Sequence, residues 1–256
     1  MDLELNGKTA LVLGGTQGLG LACAEALAAE GVRIVVNGRD AARAQQVAER
    51  LGGTAAVGDV GRPQARQRIV DQLLASTRPD IVVTNTGGPP AAPFEETQVD
   101  QWRSAYETCV LGPLELVRAC LPHMRAQGYG RIIHITSFVV KELYPNMALS
   151  NSLRIGLTGA MGSLAREVAA CGITVNGMLP GLMDTGALQR VVQDQSRRSG
   201  KDEPEVRRGM AGTIPMQRLG TAADFGALCA FLASPRAGYI TGQNICVDGG
   251  LTRSVT

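Results

Sequence analysis

The chain has 256 residues, 45% of them apolar and 19% charged, which is enough apolar material for the core of one α/β domain. Its formal net charge of +2, with arginines and glutamates interspersed, argues against a nucleic-acid partner. No run approaches the roughly 18 apolar residues of a membrane helix, and MDLELNGKTALVLGG has no basic stretch ahead of its apolar run, so the expectation is a soluble cytoplasmic protein.

Seven short β-branched runs, TALVLG, VRIVVN, TAAVGD, DIVVTN, RIIHITS, GITVNGML and QNICVDG, alternate with Ala- and Leu-rich stretches of helical period. Strands apolar on both faces belong to a parallel sheet covered by helices on each side. The expected fold class is therefore α/β, a doubly wound single domain over residues 1–256 with a seven-stranded parallel sheet and ligands at the strand carboxyl ends. Cys23, Cys109, Cys120, Cys171, Cys229 and Cys246 have no metal-ligand spacing and read as buried thiols in a reducing compartment.

Between the first strand and a helix expected over Leu21 to Glu30 runs Gly14-Gly15-Thr16-Gln17-Gly18-Leu19-Gly20. Small residues let the backbone approach a pyrophosphate, whose charge a helix N-terminus favours. An ordinary tight turn is the competing reading, and the place of the run in the first βαβ unit favours the dinucleotide. The second strand ends Asn37-Gly38-Arg39. No acid stands there to repel a 2′-phosphate, and Arg39 offers a planar donor fork, which predicts NADP(H) over NAD(H); the alternative is a solvated arginine.

The glycine run resembles the T-G-x-x-x-G-x-G pattern of the short-chain dehydrogenase/reductase family, a Rossmann fold, with Leu13 in place of the usual Thr. Asp59-Val60, Asn85-Thr86-Gly87, Pro180-Gly181 followed by Thr185, Tyr239-Ile240-Thr241-Gly242 and Val247-Asp248-Gly249-Gly250 resemble further segments of that family, so the likeness spans nearly the whole chain. Within the family the general look is similar to bacterial 3-oxoacyl-acyl-carrier-protein reductases. The resemblance implies cofactor contacts at Gly14, Thr16, Gln17, Gly18, Leu19, Gly20, Asp59, Val60, Asn85, Gly87, Arg154, Pro180, Gly181 and Thr185.

It also implies a catalytic set: a Ser that orients the carbonyl, a Tyr that exchanges the proton, a Lys that binds ribose and lowers the Tyr pKa, and an Asn that holds a relay water. Ser137 stands at the Ser position, but Ser150 replaces the Tyr, Arg154 the Lys and Cys109 the Asn. The i, i+4 spacing keeps Ser150 and Arg154 on one helical face. A serine hydroxyl is far less acidic than a phenol, arginine does not release its proton, and a thiol holds water weakly. Lys141 and Tyr144, in the loop after Ser137, are alternative proton donors, or else ordinary solvated loop residues.

The polar stretch from Gln189 to Gly209 reads either as a tolerated surface insertion or as the centre of a mobile substrate lid over about residues 186–214. His134 and His123 read as structural, and the apolar stripe from Leu111 to Met124 as a packing face; the resemblance implies a homotetramer or homodimer. Three functions remain open: an NADPH-dependent oxidoreductase acting on a carbonyl or related small-molecule substrate, an NADP(H)-binding protein without turnover, and a lyase or isomerase using the same pocket.

Overall fold

The computed structural model describes residues 1–254. Its seven strands are β1 (Thr9–Val12), β2 (Arg33–Gly38), β3 (Thr54–Val57), β4 (Ile81–Thr84), β5 (Gly130–Ile135), β6 (Ile173–Pro180) and β7 (Asn244–Val247), one for each apolar run of the sequence. All neighbours are parallel, in the order β3-β2-β1-β4-β5-β6-β7. The order reverses between β1 and β4, which opens a crevice at their carboxyl ends.

Side chains alternate across the sheet and supply a helix layer on each face. Ala10, Val12, Ile81, Val83, Ile133 and Ile135 meet α1 (Gly18–Ala29), α2 (Ala41–Arg50) and α9 (Ala222–Ala233). Leu11, Val82, Ile132 and Val175 on the other face meet α3 (Pro63–Ser76), α5 (Gly112–Gln127) and α6 (Ala148–Val168). Leu13, just past β1, joins this second layer. A short helix α4 (Val99–Tyr106) runs through a π-helical turn, Glu107–Leu111, into α5.

One helix boundary differs from the expectation, and the polar stretch takes a defined form. The first helix starts at Gly18, inside the glycine run, so Gly18, Leu19 and Gly20 form its first turn. The polar stretch after β6 is a helical hairpin, α7 (Gly186–Ser199) and α8 (Glu203–Gly212), turned at Gly200 with φ +73°. Leu188, Val192 and Val206 bury against Leu182, Met210 and Leu219 in a cluster apart from the two main cores, while Val191 stays exposed. The thiol expectation is also corrected in part. Cys23, Cys109, Cys120 and Cys229 are buried, but Cys171 closes the turn after α6 and Cys246 lies on the edge strand β7, and both are partly exposed.

Candidate active site

The glycine run leaves β1 tightly. Gly14 has φ +56°, and a Cβ there would lie 2.6 Å from the Asn85 carbonyl oxygen. At Gly20 a Cβ would lie 2.3 Å from the Gly14 carbonyl oxygen and 2.7 Å from Asn85 Nδ2. Asn85 Nδ2 donates to the Gly14 carbonyl at 3.3 Å, so the loop after β4 braces the loop after β1. No side chain caps α1, and its first turn carries no acid, which leaves the amide dipoles of Gly18, Leu19 and Gly20 open to an anion. This bare cradle beside a helix N-terminus fits the pyrophosphate of a dinucleotide.

The other expected cofactor positions line the same edge. The Thr16 methyl packs where a Cβ on Gly38 would be, 2.4 Å away, so Gly38 lets the two loops close on each other. Arg39 follows, exposed, and Arg43 one turn later donates from Nη1 to Gln17 Oε1 at 2.9 Å. Asp59 Oδ1 accepts from the Gly61 amide at 2.9 Å, which fixes the carboxylate at the end of β3, and Val60 beside it is buried. Across the crevice, a Cβ on Gly18 would meet Thr185 Cβ at 3.9 Å, so α1 and the base of the hairpin face each other. Pro180 ends β6, and Gly181 abuts Asp248, leaving no room for a side chain.

The chemical half gathers around α6. Ser137 follows β5, and its Oγ accepts a long 3.4 Å hydrogen bond from the Val139 amide. Ser150 is buried, and its Oγ accepts from Arg154 Nε at 3.1 Å. Arg154 Nη1 donates to the Thr136 carbonyl at 2.5 Å, tying α6 to the end of β5. Burial pulls the guanidinium pKa down, opposed by the neighbouring Cys109. Cys109, in the π-helical turn, donates to the Gly87 carbonyl at 3.6 Å. Burial pushes its thiol pKa up, against the pull of Arg154 and Thr86, so it is a neutral thiol at pH 7 rather than a nucleophile.

Ser150, Arg154, Cys109 and Gly87 are thus brought together, with Ser137 next to Thr136. The two loop donors stand apart. Tyr144 is exposed with its ring edge-on to Phe138, centroids 6.0 Å apart, and Lys141 lies on the side of Cys246, where its charge opposes the rise that burial gives the thiol pKa. Neither forms a hydrogen bond to Ser137, Ser150 or Arg154 among the described residues. Neither histidine forms a hydrogen bond to these residues among the described residues. His134 is buried against Asn244 Oδ1 at 3.2 Å, and His123 pairs with Asp80 at 3.4 Å at the opposite edge of the sheet.

Sequence reasoning missed Arg66, whose side chain is 3% exposed. It donates to Glu115, Glu107 and the Val60 carbonyl, so one guanidinium ties the end of β3 to the turn carrying Cys109. Burial opposes its charge, and the two glutamates outweigh that and raise its pKa. Nothing local in its sequence marks it, because its two carboxylate partners lie more than forty residues away.

A family model described as enoyl-(acyl carrier protein) reductase matches residues 14–252. The chain is 32% identical over 252 residues to the 3-oxoacyl-[acyl-carrier-protein] reductase FabG of Escherichia coli (strain K12), covering 97% of this chain and 99% of that one. It is 28% identical over 256 residues to the NADPH-dependent reductase BacG of Bacillus subtilis (strain 168), covering 97% and 99%. Among solved structures, L-sorbose reductase from Gluconobacter frateurii, complexed with NADPH and L-sorbose, superposes over 100% of both chains with a TM-score of 0.93 at 29% identity.

Proposed function

The chain belongs to the short-chain dehydrogenase/reductase family, and from that premise we propose that it is an NADPH-dependent oxidoreductase that reduces a small carbonyl or conjugated carbonyl compound with a proton donor other than the usual tyrosine. The observation that carries this is the coexistence of a glycine-lined turn at the N-terminus of α1, which fits a dinucleotide, with a site in which the Ser150 hydroxyl is held by Arg154.

When bound, NADPH supplies the hydride. Gly14, Gly18, Leu19 and Gly20 present backbone to its pyrophosphate, Thr16 and Gln17 line the turn, and Arg39 selects the 2′-phosphate. Asp59 and Val60 flank the adenine, and Asn85, Gly87, Pro180, Gly181 and Thr185 frame the nicotinamide end. Ser137 orients the substrate carbonyl. Ser150 adds a second hydroxyl, and the fixed charge of Arg154 favours negative charge developing on oxygen. Arg154 does not give up its proton, so the proton comes from Tyr144, Lys141 or water entering past the loop that carries them. The α7–α8 hairpin acts as the lid over this edge.

The protein works in the cytoplasm as a homodimer or homotetramer. The outer face of α6 supports this, because Ile155 is exposed there and Gly156 and Gly159 have open space where a side chain would be. The altered tetrad favours a second reading, a cofactor-binding protein or a lyase or isomerase without net redox turnover. NADPH consumption against a panel of ketones, aldehydes and enones separates the two. Saturable consumption supports the reductase; tight NADPH binding without consumption on any member supports the second reading.

A further inference from the structure

Arg66 and Arg131 are buried and Arg154 is partly exposed, and the three differ in how their charge is met. Arg66 has carboxylates or a carbonyl on Nε, Nη1 and Nη2. Arg131 donates to the Ser234, Gly130 and Gly172 carbonyls and lies 4.3 Å over the Tyr129 ring. Arg154 gives one hydrogen bond to a serine hydroxyl and one to a backbone carbonyl, which uses two of the five N–H donors of a guanidinium. Nη2 has no hydrogen-bond partner among the described residues, and no described carboxylate forms an ion pair with Arg154.

A cation at a crevice with no counter-anion of its own is open to an anionic ligand. The chain also leaves space at that cation. A Cβ on Gly88 would sit 3.3 Å from Arg154 Nη2, and Gly87 beside it has nothing within 4 Å of such an atom. Gly88 therefore leaves the free side of the guanidinium bare, next to open space at Gly87. Ribose hydroxyls, the partners that the family resemblance gives this position, are neutral and would leave the charge unmet. A carboxylate would meet both the charge and the remaining N–H donors.

We propose that Arg154 is a specificity-determining residue that binds a carboxylate of the substrate through its free Nη2 side, beside Gly87 and Gly88, so that the compound reduced is an oxo acid or an unsaturated acid. This rests on the reading of the site as a reductase site. Neutral carbonyl compounds of the same shape are then poor ligands, and replacing the cation removes the difference.

The test is calorimetric titration of the protein saturated with NADP⁺, using 2-oxobutyrate and benzoylformate against their neutral amides. The expected result is that at least one acid binds about tenfold or more tightly than its amide, as a charge-assisted hydrogen bond predicts. The preference persists in Arg154→Lys and disappears in Arg154→Met. Gly88→Val, which fills the space beside Nη2, weakens acid binding with little change for the amide, and it keeps the test usable if Arg154→Met does not fold. Equal affinity for acid and amide, no binding of either acid, or a preference that survives both Arg154→Met and Gly88→Val overturns the proposal. Turnover of neutral ketones with equal efficiency would sink it while leaving the reductase reading intact. Arg154-dependent acid binding with no NADPH consumption on any carbonyl compound would do the reverse.

Discussion

Arg154 Nε donates to Ser150 Oγ at 3.1 Å, one turn back along α6, so the residues in place of the family's Tyr and Lys are hydrogen-bonded to each other. The contact occupies a lone pair on Ser150 and leaves its O–H to point at a substrate oxygen. A hydroxyl so placed orients and polarises, but its acidity is far below that of a phenol.

Ser150→Ala is therefore expected to lower turnover at saturating NADPH by no more than about tenfold, below the 10²- to 10⁴-fold typical of a lost general acid. Ser137→Ala is expected to cost about 10²-fold. Tyr144→Phe and Lys141→Met identify the donor: a loss of about 10²-fold in one of them names it, and near-normal rates in both and in the double variant leave water. A loss of several hundredfold in Ser150→Ala with unchanged cofactor affinity would make Ser150 the acid.

The cradle makes a steric prediction. Gly20→Ala places a methyl 2.3 Å from the Gly14 carbonyl oxygen and is expected to destabilise the fold by about 1–3 kcal/mol and to weaken NADPH binding severely. Gly18→Ala meets only Thr185 Cβ at 3.9 Å, so its cost is the left-handed φ of +57°, about 1–2 kcal/mol. Thermal unfolding with and without NADPH measures both, and a Gly20→Ala protein of normal stability would refute the packing argument.

Cofactor choice follows from Arg39. Arg39→Asp is expected to reduce NADPH affinity by at least about tenfold while sparing or improving NADH, because the carboxylate repels a 2′-phosphate and can accept from a ribose hydroxyl. Titration of both cofactors decides it. Arg43, held on Gln17 Oε1, stays in place in that variant, so the change isolates Arg39.

The sheet and the cradle were legible because their signals are local: β-branched runs, alternation across a sheet, and glycines between strand and helix. The hairpin was legible as polar but not as helical, since its apolar face rests on three residues, Leu188, Val192 and Val206, spaced across a turn. Arg66 and the unmet charge of Arg154 were invisible for another reason. Both depend on what surrounds a guanidinium in three dimensions, and a spacing of four from Ser150 says nothing of an absent carboxylate.

Because α7 and α8 pack on their own small cluster, they are expected to move as one body. Their base is pinned by the Asp184 amide on the Gly220 carbonyl at 2.7 Å and the Gly220 amide on the Leu182 carbonyl at 3.0 Å. Within the hairpin, Gln189 Nε2 donates to Glu203 at 2.6 Å, and Arg207 bonds Gln189 and Asp184. Hydrogen exchange is expected to be fast and correlated over residues 186–212 in the free protein and slower when substrate and cofactor are bound. Full protection of those amides in the free protein would refute a lid.

The last prediction concerns acid stability. His134 is 2% exposed, hydrogen-bonded through Nε2 to Asn244 Oδ1, with Nδ1 unpartnered. Burial pulls its pKa from 6.5 down to about 4, the Asn244 contact opposing. Between those values the unfolded chain binds a proton that the folded chain refuses, so stability falls as pH drops from about 6.5 and the effect is complete near pH 4. Over that window the histidine accounts for a loss of at most about 3 kcal/mol. Carboxylates titrate in the same range, so the measurement is a difference: urea unfolding of the natural chain and of His134→Gln at pH 7.5 and at about pH 4.5. The variant is expected to be the less stable at the higher pH, having lost the fitted imidazole beside Gly177, and to lose less on acidification. Equal losses in the two proteins would mean that His134 titrates in the folded chain as it does in the unfolded one.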